Sequence, residues 1–266
     1  MHSLLPSLTA ACLYAGITGY QGLRLIQHIA PNRSILVSLG GLALLMHVVS
    51  LAQHLFVPAG LNLNFFTASS LIAASVVSLI FLAMRRLPVE NLLLPLFPMT
   101  ALAVLLAQFA PTGTAPPIAE QPGMLAHILF SILAYGIFTM AALQALLLLL
   151  QNFALKRKHP NGIIRNFPPL QTMEHLLFSF LWAGWILLCI SLLSGWFFVD
   201  NLLAQHLVHK TLLSLFAWLV FGLLLAAHHY LGWRGPTAIR LTLGGFCLLM
   251  LAYFGTKLVR EFILHI

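Results

Sequence analysis

The sequence predicts an all-α fold: a polytopic membrane helix bundle of about eight transmembrane helices, with both termini outside. Of its 266 residues, 61% are hydrophobic and 7% are charged, whereas a soluble domain carries about 25% charged residues. So few charges cannot cover the surface of a water-soluble protein. The apolar residues also fall into runs of about 20, the length that a helix needs to cross the hydrocarbon of a bilayer.

Short connectors separate these runs and set the order of the predicted helices. The connectors are too short to hold a soluble domain, so residues 1–266 are predicted to form a single integral membrane domain. Helices 1 to 8 are predicted near 4–23, 35–57, 64–84, 91–110, 124–153, 175–199, 207–229 and 238–259.

The basic residues predict the orientation. Ten of the 13 lysines and arginines fall in alternate connectors, and such residues are enriched in cytoplasmic loops. This places both termini on the outer side of a bacterial inner membrane. Because the positive charges lie in these loops, the net charge of +8 does not indicate a nucleic-acid partner, and the lipid bilayer is the predicted partner. The ten are Arg24, Arg33, Arg85, Arg86, Lys156, Arg157, Lys158, Arg165, Arg234 and Arg240.

The cysteines and the acidic residues argue against several kinds of site. The three cysteines form neither C-x-x-C nor C-x-x-C-H, so no disulfide framework and no covalent c-type haem attachment is indicated. The five acidic residues form no intramembrane pair with a histidine at helical spacing. We therefore expect no catalytic site and predict that the protein is not an enzyme.

Polar side chains gather on one face of three predicted helices. They are His47, Ser50 and His54 in helix 2, His127, Ser131 and Tyr135 in helix 5, and His206 and His209 in helix 7. Spacings of three and four residues put each group on one helix face. Because polar groups are costly in hydrocarbon, these faces are predicted to point into the bundle or a cavity. The predicted orientation places His54, His127 and His209 toward the outer surface.

Histidines that come from separate helices and lie at one depth can bind a flat cofactor whose metal takes ligands on its two faces. Neutral imidazole is a good donor to iron, and haem is an apolar plate with a charged edge. We interpret His127 and His209 as candidate iron ligands, because a bis-histidine site must use different helices, with His54 as the alternative. Lys210 is a candidate partner for the propionates. The competing interpretation is that the histidines are interfacial and that Lys210 snorkels to the membrane surface.

The last part of the chain resembles a known family. The motifs are "LAHILFSILAYGIF", "AWLVF" and "LGWRGPTAIRLTLGGFCLLMLAYFGTKLV", with Glu174 ahead of helix 6. They resemble the membrane cytochrome c assembly family, the CcsA- and HemX-like proteins. The likeness covers about residues 120–266, and the first half of the chain follows it in hydropathy alone.

The resemblance implies a protein that handles haem at the outer face of an energy-transducing membrane. His127, with Tyr135 on the same helix, matches the family's outer histidine, and His265 lies near the place of a second one. Many members carry a tryptophan-rich loop ending in W-D. Here that place holds Gly195-Trp-Phe-Phe-Val-Asp200, followed by "QHLVHK", in which Lys210 matches the family's lysine and His209 is adjacent.

Three functions follow from this pattern. The favoured one is a haem-binding protein, without chemistry of its own, that takes part in haem handling or cytochrome complex assembly alongside other membrane or assembly proteins. A non-haem scaffold that stabilises a partner is the alternative. A small-substrate transporter is less favoured, because transporters use helices broken near the midplane, whereas the prolines here lie mostly at helix ends.

Overall fold

A computed structural model describes residues 4–58, 60–110, 122–156, 167–198 and 205–259, with the backbone alone at 205–207. Over these residues the chain forms eight helices of sixteen residues or more. They are α1 (Leu4–Ile26), α2 (Arg33–Leu55), α3 (Phe65–Met84), α4 (Leu93–Phe109), α5 (Pro122–Lys156), α6 (Leu170–Phe198), α7 (Gln205–Leu231) and α8 (Gly235–Met250). The predicted all-α membrane bundle is confirmed.

Five short elements complete the described part of the chain. Strands β1 (Phe56–Val57) and β2 (Gly60–Leu61) form a small antiparallel hairpin after α2. A 3₁₀ turn (Glu90–Leu92) leads into α4. A π-helical turn (Leu251–Gly255) continues α8 and is followed by one helical turn (Thr256–Leu258).

Seven segments of the described chain are long and apolar enough to cross a membrane. They are α2, α3, α5, α6 and α7, α4 together with the 3₁₀ turn before it, and α8 together with the turns after it. α1 is as long as α2, at 23 residues, but polar residues along its length keep it outside this set. Several of these polar residues are buried against other helices.

Local chemistry explains where several helices begin. Asn32 and Asn64 cap α2 and α3, because their side-chain oxygens accept hydrogen bonds from Ser34 N and Thr67 N. α8 begins at Gly235, whose φ of +56° lies in the left-handed region that glycine tolerates. Proline follows at the first turn of α8, where its missing N–H costs nothing.

The chain forms two compact units. The N-terminal unit contains α1 to α4. α1 packs against α2 and α4, and α3 packs against both α2 and α4. A Cβ at Gly40 of α2 would lie 2.7 Å from the Phe81 ring of α3, so glycine is needed for this close approach.

The C-terminal unit contains α5 up to Leu149 together with α6, α7 and α8. α7 packs against α6 and α8. Phe138 of α5 stacks on Phe221 of α7, with ring centroids 4.1 Å apart. Glu174 of α6 accepts a hydrogen bond from Gly235 N at 3.0 Å and so ties α6 to the start of α8. That the whole chain acts as a single membrane domain stays a prediction.

Candidate functional site

His127 lies in the second turn of α5 and is held by α6. Its Nδ1 lies 3.0 Å from the carbonyl oxygen of Ser191 and 3.1 Å from Ser194 Oγ. A carbonyl oxygen only accepts, so Nδ1 carries the proton and donates it. In neutral imidazole the other ring nitrogen, Nε2, is then an acceptor and a possible metal ligand.

Small residues of α6 make room for the imidazole. A Cβ at Gly195 would lie 3.0 Å from His127 Cε1, so α6 approaches the ring with its backbone. Ser194 Oγ donates to the Ser191 carbonyl at 2.9 Å, which leaves its lone pairs free to accept from Nδ1. Ser191, Ser194 and Gly195 together form what we call the α6 cradle.

Ser131 supports the same position from within α5. Its hydroxyl donates to the His127 carbonyl at 2.7 Å and lies 2.8 Å from Ser191 Oγ. Since the Ser131 proton goes to the carbonyl, the Ser191 hydroxyl donates to Ser131. The backbone and the ring of His127 are therefore both tied to Ser191, which fixes the direction of Nε2.

Two lysines converge on one aromatic ring at the end of the unit where α5 and α7 begin and α6 ends. Lys210 Nζ of α7 lies 5.3 Å from the centroid of the Tyr253 ring, and Lys257 Nζ lies 5.6 Å from it. Such distances are typical of cation–π contacts. The Lys210 charge is also near enough to His127 to act on it electrostatically. We call Lys210, Lys257 and Tyr253 the lysine–tyrosine cluster.

Tyr135 joins this cluster rather than the His127 ring. Its ring centroid lies 5.6 Å from that of Tyr253, and its buried hydroxyl donates to the Leu249 carbonyl. The described hydrogen bonds at His127 come from the α6 cradle and Ser131. Tyr135 instead links α5 to the end of α8, just before the π-helical turn.

The other predicted site residues lie on α7, in the N-terminal unit or outside the described residues. His209 lies on the exposed surface of α7 beside the half-buried Lys210. His54 belongs to the N-terminal unit, where its Nε2 lies 3.2 Å from Gln108 Oε1. The side chain of His206 and the whole of His265 lie outside the described residues.

The donor set fits a cofactor that needs few protein ligands. Among the described residues, no three His, Cys, Asp or Glu side chains gather as a metal site would require. A structural zinc site uses four protein ligands, whereas haem iron takes one or two axial ligands. A histidine with one nitrogen donating to a backbone carbonyl is the usual form of a metal-ligating histidine. The His127 arrangement therefore fits haem.

The α6 cradle and Lys257 were not among the site residues predicted from the sequence. Ser191 and Ser194 are three residues apart and precede Gly195, a pattern of small residues typical of close helix contacts in membranes. The sequence contains this pattern, but it does not indicate which helix packs against it. Lys257 lies four residues after Tyr253, a spacing that places both on one helix face, but no spacing relates this pair to Lys210 on α7.

Comparisons with known proteins identify relatives over most of the chain. Residues 36–264 match the family described as "Cytochrome C assembly protein". The inner membrane protein YpjD of Escherichia coli K12 is 30% identical over 224 residues, which cover 84% of this chain and 85% of YpjD. An uncharacterized 28.8 kDa protein from the nifR3-like 5′ region of Azospirillum brasilense is 35% identical over 193 residues, covering 70% of this chain and 71% of that protein. No solved structure matches the chain significantly.

The extent of these matches confirms the resemblance found in the sequence, and seven apolar helices agree with several membrane crossings. The chain belongs to the cytochrome c assembly family and is a multi-pass inner-membrane protein of the CcsA type.

Proposed function

We propose that the protein binds haem at His127 and serves haem handling during cytochrome complex assembly. The observation that carries the proposal is the bond from His127 Nδ1 to the Ser191 carbonyl at 3.0 Å. It fixes the tautomer that exposes a lone pair on Nε2 and holds the ring against rotation. When bound, haem supplies an iron centre that an imidazole nitrogen can ligate.

The lysine–tyrosine cluster supports the same proposal through charge. Haem carries two propionate carboxylates, and ammonium groups are suitable partners for them. Lys210 and Lys257 both lie against Tyr253, within the unit that carries His127. Their role in this proposal is to bind and orient the charged edge of the ligand, while Tyr135 and Tyr253 form an aromatic wall.

His209 would be the second side chain to hold the haem iron. It is exposed on α7, one residue before Lys210, and it begins its helix as His127 begins α5. His54 and His265 remain the alternatives. In this proposal the chain performs no bond-making chemistry, and its partners are other membrane or cytochrome assembly proteins that deliver or receive haem.

The outer face is proposed as the side on which this happens, because the basic residues put the start of α5 and α7 there. A reporter fused after Ile266 should be exposed outside the membrane, and one inserted at Lys158 should be inside. Finding both reporters on the same side would contradict the predicted orientation.

An absorption spectrum of the purified protein, oxidised and reduced, tests haem binding directly. We expect a sharp reduced band for the wild type. His127→Ala and His209→Ala should each lower haem retention, and added imidazole should partly restore it by filling the vacated axial position.

His229→Ala provides the matched control. His229 is also an exposed histidine of α7, but it lies 20 residues from His209, about 30 Å along the helix. Its substitution should leave the spectrum unchanged. Full haem retention in the His127→Ala, His209→Ala double variant would refute the ligand assignment, and a wild type without any haem band would favour the scaffold function.

A further inference from the structure

A polar stripe runs down the buried face of α1 in the N-terminal unit. Ser7, Tyr14 and Gln21 follow one another at intervals of seven residues, and each is at most 2% exposed. Seven residues make about two helical turns, so the three side chains share a face and lie about 10 Å apart. We call their positions the first, second and third levels of the stripe.

The first level is a closed hydrogen-bond network. Ser7 Oγ lies 2.7 Å from Ser50 Oγ of α2 and donates to Gln108 Oε1 of α4 at 2.7 Å. The same Gln108 oxygen lies 3.2 Å from His54 Nε2. Side chains of three helices therefore satisfy one another directly at this level.

The third level is satisfied in part. Gln21 Nε2 donates to the Glu90 carbonyl at 2.9 Å, while Gln21 Oε1 has no hydrogen-bond partner among the described residues. Arg24 Nε, about one turn further along α1, also lacks a partner among the described residues, but its guanidinium donates to the Ala30 carbonyl, so each of these two side chains keeps one hydrogen bond to the backbone.

The second level differs from both. Tyr14 Oη, His47 Nδ1 and Thr100 Oγ1 all lack a hydrogen-bond partner within the described part of the chain. The three residues belong to α1, α2 and α4, and each is 0% exposed. Three unpaired polar groups in one layer of a membrane bundle are costly, because hydrocarbon offers no water to satisfy them.

Contacts between neighbouring side chains place these groups in one layer. The ring of Tyr14 meets the edge of the His47 ring with centroids 6.0 Å apart, and it lies 5.1 Å from the Phe97 ring. Thr100 follows Phe97 by three residues, on the same buried face of α4. Ser70 of α3 lies 2.8 Å from His47 Nε2, so it fixes the imidazole and turns Nδ1 away from itself.

We propose that this second level is an internal water site, bound by Tyr14 Oη, His47 Nδ1 and Thr100 Oγ1. A buried water needs two to four polar partners, and these three atoms supply that number. Water both donates and accepts, so it satisfies Nδ1 in either tautomer of His47. Hydroxyl groups can also donate or accept, so the site is chemically balanced.

X-ray-pulsed hydroxyl-radical footprinting of the detergent-purified protein tests the site. Radicals formed from a bound water oxidise side chains beside it, even where bulk solvent has no access. We expect Tyr14 and Phe97 to be oxidised several-fold faster than Phe138 and Phe221, which are as deeply buried but stack on each other. Oxidation of Tyr14 and Phe97 at the rate of Phe138 and Phe221 would overturn the proposal.

Two hydroxyl deletions test the ligands. Thr100→Val and Tyr14→Phe keep the side-chain shape and remove one polar atom each. With water bound, each variant should lower the melting temperature and slow the oxidation of Phe97. In a dry site, removing an unpaired hydroxyl would instead raise the melting temperature, and that result would also overturn the proposal.

Thr242→Val is the control variant. Thr242 of α8 is likewise 0% exposed with an unpaired hydroxyl among the described residues, but it belongs to the C-terminal unit. Its substitution should leave the oxidation of Tyr14 and Phe97 unchanged. Should Thr100→Val fail to fold, the wild-type comparison with Phe138 and Phe221 and the Tyr14→Phe variant still decide the question.

Discussion

The N-terminal and C-terminal units both place histidines on apolar helices, but they surround them differently. In the N-terminal unit, His47 is 0% exposed and His54 has its Nε2 against Gln108. In the C-terminal unit, His127 is half-buried and bonded through Nδ1 alone in the described contacts. The spacing of the polar residues is similar in α2 and α5, yet His47 is bonded through Nε2 and His127 through Nδ1.

This difference shows that histidine spacing alone does not identify a ligand. What matters is which ring nitrogen the protein uses for its own hydrogen bonds and whether the other nitrogen can be reached. His47 uses Nε2 for Ser70 and buries Nδ1, so it is suited to internal packing. His127 uses Nδ1 for α6 and keeps Nε2 for another partner.

The largest effect on haem retention is expected from a substitution that fills the α6 cradle with a larger side chain. Gly195→Val puts a branched side chain where even a Cβ would lie 3.0 Å from His127 Cε1, so the ring must move. Haem retention should fall roughly 10- to 100-fold, as for other changes to the groups that orient a metal ligand. Titration of the purified variant with haem measures this.

Gly244→Val is its control, because a Cβ at Gly244 of α8 meets nothing within 4 Å. It should bind haem as the wild type does. Normal binding by Gly195→Val would mean that the cradle does not set the direction of His127, and the contrast between the units would lose its basis.

A second variant tests the comparison in the N-terminal unit. His47→Leu removes the partner of Ser70 and should destabilise the protein by about 1–3 kcal/mol, the cost of an unpaired buried polar group. Thermal unfolding measures the loss of stability. The haem spectrum should not change, and loss of haem without loss of stability would make His47 part of the ligand site.

The smallest effect concerns one hydrogen bond. Ser194→Ala removes one of the two acceptors near His127 Nδ1, while the Ser191 carbonyl remains. A single hydrogen bond contributes about 1 kcal/mol, so haem affinity should fall only a few-fold. A loss as large as that of Gly195→Val would show that Ser194, rather than the Ser191 carbonyl, determines the tautomer.

The helices were predictable because twenty apolar residues are a strong and local signal. α3 is predicted at 64–84 and lies at Phe65–Met84, and α7 is predicted at 207–229 and lies at Gln205–Leu231. The start of α6 was predicted less accurately, at residue 175, whereas the helix begins at Leu170. Its first turn is polar and is bonded to α8 through Glu174, so the apolar run begins later than the helix.

The candidate site was predictable only in part. His127 could be selected from its spacing and its resemblance to a family, and the structure gives it a suitable tautomer. The cradle of Ser191 and Gly195 comes from another helix, and the bond of Tyr135 goes to a carbonyl 114 residues away. Periodicity along one helix carries no information about such partners, and the assignment of His209 and His54 stays a prediction.

The π-helical turn at Leu251–Gly255 has a consequence for sequence length. A π turn holds one residue more than an α turn, so all later residues are rotated by about 100° relative to an uninterrupted α-helix. Tyr253 lies within this turn, and Lys257 follows it by four residues, the spacing that places two side chains on one helix face. Loss of one codon within this turn would leave the apolar composition of the span almost unchanged and would convert the π turn into an α turn, so that later residues would keep their present side of the helix.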